Sequence, residues 1–161
     1  EDEAWLGGGI FVYRSVLTVD NCIITNNSSD AGGGVMTRES KVIFTNCEIS
    51  NNTSLSNGGG MQFNHTDGTV TDCEFTNNTI TYNDDGSQSV GAGAGMHIFG
   101  GKIDMDSCTF VSNRIIDNRT DRSSSIGSGG GINISLTAGG SIVQLGKEMG
   151  ALQTVRLLIM R

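Results

Sequence analysis

Proline is absent from this chain of 161 residues, although average usage near 5% would give about eight. A proline inside a central strand deletes a ladder donor, so the absence fits a stack in which most strands are central. No apolar run reaches 18 residues, so no direct membrane insertion is expected. The sequence opens without a start methionine or a signal peptide and reads as a mature or excised product, with neighbouring repeats expected beyond it. Basic residues are few: ten lysines and arginines stand against 17 aspartates and glutamates, net −7. That balance argues against nucleic acid or an anionic membrane as partner.

What is present is a repeat. "CIITNNSSDAGGGV" from Cys22 returns as "CEISNNTSLSNGGGM" from Cys47, as "CEFTNN" from Cys73 followed by "GAGAGM", and as "CTFVSN" from Cys108 followed by "GSGGGI". The residue after each glycine cluster starts a unit: Ile10, Val35, Met61, Met96 and Ile132. From that residue to the cysteine is 12 residues in each of the first four units, and from the cysteine to the last asparagine is 5. Each unit therefore has a rigid block, and the length variation lies between the asparagine and the next glycines.

Within the block, apolar residues recur at period two, as in strands with one buried face. Inward pairs fall at offsets 0 and 2 (Met61 and Phe63), 7 and 9 (Val42 and Phe44), and 12 and 14 (Cys73 and Phe75), with Thr37 and Gly68 as exceptions. Three short strands in about 25 residues cannot enclose a private core. They can form one turn of a solenoid, closed by the turns above and below. Like residues then stack in columns: Cys22, Cys47, Cys73 and Cys108 in one, Asn27, Asn52, Asn78 and Asn113 in another. The four cysteines are expected as inward free thiols, packed as small hydrophobes. The glycines supply turn angles, and the asparagines supply left-handed backbone and amide hydrogen bonds.

The "GGGI" before Ile10 and Ile132, the "GGGV", "GGGM" and "GAGM" variants, and "FTNN" and "FVSN" at Phe75 and Phe110 resemble the GGA(I/V) and FxxN elements of polymorphic outer-membrane protein repeats. The resemblance covers roughly residues 7 to 135 and implies an all-β fold, a right-handed single-stranded parallel β-helix of about five coils with three strands each, shared with surface adhesins and pectate-lyase-like proteins. Residues 1–143 are assigned to the helix and 144–161 to a C-terminal cap or irregular tail. The repeat breaks after Ile134, because positions 139, 141 and 144 hold Gly139, Ser141 and Gln144. Met149, Leu152, Val155 and Ile159 then follow at helical spacing.

Pectin-degrading β-helices use clustered aspartates with calcium and a basic residue, or paired carboxyls as acid and base. The candidates are Asp104 and Asp106, expected to point outward from one strand, Asp84 and Asp85 in an insertion, Arg38 and Lys102, and the single histidines His65 and His97. Solvated faces and an acidic turn explain them, so no catalytic residue is assigned. Asp84 and Asp85 are weak calcium candidates at most, and no cofactor beyond N-linked glycans is expected. Sequons occur at Asn26, Asn27, Asn51, Asn52, Asn64, Asn77, Asn118 and Asn133, eight of 14 asparagines, an excess that suggests a secreted, extracellular or cell-surface setting. Long gaps before Met96 and Ile132 should protrude side by side, either as neutral insertions or as a binding surface. The sequence thus reads as a structural or adhesive rod segment that presents loops and glycans. Its expected partners are other copies or neighbouring repeats of the same protein, or an extracellular protein or carbohydrate. The alternative is a carbohydrate-active β-helix enzyme.

Overall fold

The computed structural model describes residues 7–83, 91–118 and 129–135, with the backbone of 141–145 and 155–158. Every ladder in it is parallel, and successive coils stack in sequence order. Ile10 pairs with Val35, Val35 with Met61, Met61 with Met96 and Met96 with Ile132. The unit starts read from the glycine clusters are therefore register partners, one coil apart at about 4.8 Å.

Three sheets lie where the apolar alternation places them. The first stacks Ile10–Tyr13, Val35–Arg38, Met61–Asn64, Met96–Phe99, Ile132–Ser135 and Val155–Leu158. The second stacks Val16–Asp20, Lys41–Thr45, Asp67–Thr71, Gly101–Asp106 and Ser141–Leu145, and the third Ile23–Thr25, Glu48–Ser50, Glu74–Thr76 and Thr109–Val111. A fourth sheet corrects the count of three strands per coil: Ser28–Ser29, Thr53–Ser54, Thr79–Tyr82 and Arg114–Asp117 also pair in parallel. Its strands begin directly after the laddered asparagine, in what reads from the sequence as loop.

The repeat also continues past its apparent break. Ile103 pairs with Val143 and Met105 with Leu145, so four additional residues between Ile134 and Val143, relative to Ile98 and Ile103, restore the apolar pair. Val155–Leu158 pairs in parallel with Ile132–Ser135. That stretch is strand, where the sequence spacing reads as helix, because an unfilled ladder edge offers its backbone hydrogen bonds that helical periodicity alone does not weigh.

The core is a column of stacked side chains. Phe75 and Phe110 lie ring on ring at 4.5 Å with planes 3° apart, and Phe44 and Phe63 meet across the first two sheets at 6.2 Å. Val35, Met61, Met96, Ile98 and Ile103 are fully buried around them. Thr37, a polar residue at an inward position, is buried with its hydroxyl bonded to Thr66 Oγ1 at 2.9 Å. Full burial without that bond would cost on the order of 1–3 kcal/mol. A smaller cluster of Ile80, Tyr82 and Ala94 packs beneath the fourth sheet.

Left-handed backbone turns every corner of the coil. Arg14, Glu39 and His65 turn the first, Asn21, Asn46, Asp72 and Ser107 the second, and Asn26, Asn51, Asn77 and Ser112 the third, all with φ between 47° and 59°. At the fourth the column Gly7, Gly32, Gly58, Gly93 and Gly129 has φ from 59° to 80°. Asparagine and glycine enter that region at least cost. The paired asparagines therefore divide their labour: the first bends the chain outward and the second turns into the core.

Candidate functional site

At three corners the residue after the left-handed one donates its side chain back to the carbonyl two residues earlier. Ser40 Oγ reaches Arg38 O at 2.7 Å, Cys47 Sγ reaches Thr45 O at 3.1 Å, and Asn27 Nδ2 reaches Thr25 O at 3.2 Å. Ser15, Thr66, Cys22, Cys73 and Cys108 repeat the contact at 2.9–3.3 Å. The cysteines are therefore corner donors as well as packing groups, which adds to their reading as small hydrophobes. All four are free, and Cys47, Cys73 and Cys108 are buried. Cys22 is exposed, against the expectation of a wholly inward column. Cys47 and Cys108 also reach carbonyls of the preceding coil, Val19 O and Val70 O, and the described residues supply no such coil before Cys22. Burial pushes the Cys47 thiol up, and hydrogen bonding with Cys108 together with burial pushes Cys73 up, so both stay protonated and able to donate.

The asparagine column is continuous. Nδ2 of Asn27, Asn52 and Asn78 donates to Oδ1 of the next asparagine at 3.0, 3.1 and 2.9 Å, and each backbone N–H donates to the same oxygen. Nδ2 of Asn52, Asn78 and Asn113 also reaches a carbonyl of the previous coil at 2.8 Å: Ile24 O, Ile49 O and Phe75 O. The glycine before each unit start makes room for this. A Cβ on Gly34 would stand 2.7 Å from Gly60 O and 2.9 Å from Asn52 Nδ2.

This arrangement sorts the sequons. Asn26, Asn51 and Asn77 are exposed corner residues, and Asn118 is exposed as well. Asn64 is half-buried with Oδ1 on His65 Nδ1. Asn52 and Asn133 are buried, at 0% and 2% exposure. Asn27 is committed to the ladder. Asn133 accepts from Ser135 Oγ at 3.1 Å.

Three of the charged candidates, His65, Lys102 and Asp104, line one edge. Two adjoining grooves of about 460 and 440 Å³ run over the first corner and the outer face of the second sheet, sharing Val16, Lys41 and Asp67. Arg14, Glu39 and His65 line one, and Lys102 and Asp104 the other. Arg14 and Lys102 between them serve three carboxylates. Arg14 Nε holds Glu39 at 2.7 Å, Asp67 Oδ1 accepts Lys102 N–H at 2.8 Å, and Lys102 Nζ lies 3.4 Å from Asp104. The Arg14 guanidinium keeps the Glu39 carboxyl below its ordinary range, the opposite of what a general acid needs. Asp106 is exposed on the same strand as Asp104, and Arg38 lies beside the Tyr13 ring at 5.7 Å. Asp84 and Asp85, with residues 84–90 and 119–128 of the two long gaps, lie outside the described residues.

His97 is buried, with Nε2 3.2 Å from Ser135 Oγ, and burial lowers its pKa to about 4. Because that hydroxyl donates to Asn133 Oδ1, Nε2 is the donor in the pair. The imidazole is placed as a structural donor rather than as a base activating serine. Among the described residues no three histidine, cysteine, aspartate or glutamate side chains group as a metal site. No helix among them is long and apolar enough to cross a membrane.

Parallel coils of four strands, an interior asparagine row and corner-turning residues in fixed columns define a parallel β-helix. The family model for the right-handed beta helix region matches residues 3–145, and the chain belongs to that family. No curated protein and no solved structure gives a significant match. The corner device at Ser15, Ser40 and Thr66 escaped the sequence reading. Its signal is a small hydroxyl residue five positions after each unit start, lost at Gly101.

Proposed function

We propose that the chain is a segment of an extracellular structural or adhesive rod, which holds loops and glycans at its corners on a stiff scaffold. The observation that carries this reading is the unbroken asparagine row through four coils. The coil interior and its corners are given over to stacking along the axis, and the groove carboxylates are engaged by basic residues of the same edge, Glu39 by Arg14 and Asp67 and Asp104 by Lys102. The partners we propose are neighbouring coils of the same protein along the axis, and extracellular protein or carbohydrate at its edges.

Protease shaving of intact source cells tests the reading. Release of peptides from this chain while cytosolic markers stay intact is the expected result, and complete protection until lysis would overturn the surface assignment. A parallel assay on acidic and neutral polysaccharides addresses the carbohydrate-active alternative. Chain cleavage that is abolished by Glu39→Gln or Asp104→Asn would replace the structural reading with that one.

A further inference from the structure

The third corner presents a repeated chemical group that stacking leaves unused. We propose that Asn26, Asn51 and Asn77 form a column of N-glycan acceptors, and that the adjacent sequons at Asn27 and Asn52, and the buried one at Asn133, are not acceptors. The inference rests on the extracellular reading above and specifies which residues carry the sugar.

Three observations converge. First, the left-handed conformation at 59°, 54° and 55° turns Asn26, Asn51 and Asn77 outward, and all three are exposed. Among the described residues their carboxamides enter no hydrogen bond. Asn64 by contrast is bonded to His65, and Asn118 Nδ2 to Asn83 at 3.3 Å. Second, each is followed two residues later by a hydroxyl: Ser28, Thr53 and Thr79. The fold does not require that hydroxyl, because the fourth coil places Arg114 in register with Thr79. Ser112 turns that fourth corner with φ 54°, so asparagine and hydroxyl disappear together there, while laddered Asn113 remains. Third, the neighbouring sequons are excluded by the ladder and by burial: Asn27 Nδ2 is engaged by Thr25 O and Asn52 Oδ1, and a sugar on buried Asn52 would replace one of the hydrogens that Nδ2 gives to Ile24 O and Asn78 Oδ1.

The transfer uses a lipid-pyrophosphate-linked oligosaccharide. Asparagine Nδ2 attacks the anomeric carbon, a C–N bond forms, the C–O bond to pyrophosphate breaks, the lipid pyrophosphate leaves, and the amide gives up one proton to the transferase's base. Asn26 and Asn77 lie two coils, about 9.6 Å, apart, wide enough for both to be occupied on one folded molecule.

The test is to secrete the full chain from a eukaryotic cell behind a secretory leader, release N-glycans enzymatically in heavy-oxygen water, and map the asparagines converted to labelled aspartate. Label at 26, 51 or 77, with none at 27, 52 or 133, is expected. Ser28→Ala should then lose the label at 26 alone, and Thr53→Ala the label at 51 alone, with thermal unfolding unchanged. Secreted, folded protein bare at all three, or labelled at 52 or 133, overturns the proposal. Because the leader forces secretion, the result is independent of whether native cells display the protein, which the shaving experiment decides.

Discussion

Asn78 sits with its carboxamide over that of Asn113, Nδ2 to Oδ1 at 2.9 Å, while its other amide hydrogen bonds to Ile49 O at 2.8 Å. Its own Oδ1 takes two donors from Asn52. One side chain thus ties three coils together. Asn78→Ala leaves several buried groups without partners, so a loss of about 3 kcal/mol or more is expected. Urea unfolding compared with the unsubstituted chain measures it, and a cost under about 1 kcal/mol would mean that water replaces the row.

Gly34→Ala attacks the same row from the facing wall, since the new Cβ would press on Gly60 O and Asn52 Nδ2. The backbone must shift, at a cost on the order of 2 kcal/mol. The shift in thermal midpoint checks it, and an unchanged midpoint would show that the coils breathe enough to admit a methyl.

The cysteines are distinguished by access. In native protein one thiol, Cys22, should react promptly with a thiol-specific chromogen, and all four after denaturation. Cys22→Ser should remove the native signal. Rapid native reaction of more than one thiol would contradict the burial of the other three.

His97 gives the fold a pH dependence. With a folded pKa of about 4 against an ordinary value near 6.5, the unfolded chain takes up a proton between those limits that the folded chain does not. Stability is therefore full above about pH 6.5, falls as pH drops toward 4, and loses on the order of 3 kcal/mol across that window. Denaturant titrations at pH 7, 5.5 and 4 on the parent and on His97→Gln isolate the effect. Parallel slopes in the two proteins would assign the dependence to other groups.

Much of this architecture is written in fixed spacings. Because the blocks from Val35 to Asn52 and from Met61 to Asn78 keep one length, both register and the asparagine row could be read directly. The fourth sheet could not: Ser28–Ser29 and Thr53–Ser54 are two-residue polar strands, too short to show alternation. The fifth coil was hidden by its four additional residues inside an otherwise constant block. The groove was hidden because Val16, Lys41, Asp67 and Lys102 share a wall only once four coils stack.

The asparagine row also has a sense. In each link of the row one amide hydrogen points from the Asn27 end toward Asn113, so the side-chain carbonyls lie in series over about 14 Å, each polarising the next. Carbonyl character faces outward at the Asn27 end and N–H character at the Asn113 end. The two poles of the stack are thus chemically unlike, and a coil joining either one must arrive with the matching polarity, which makes the rod a vector rather than a symmetric bar.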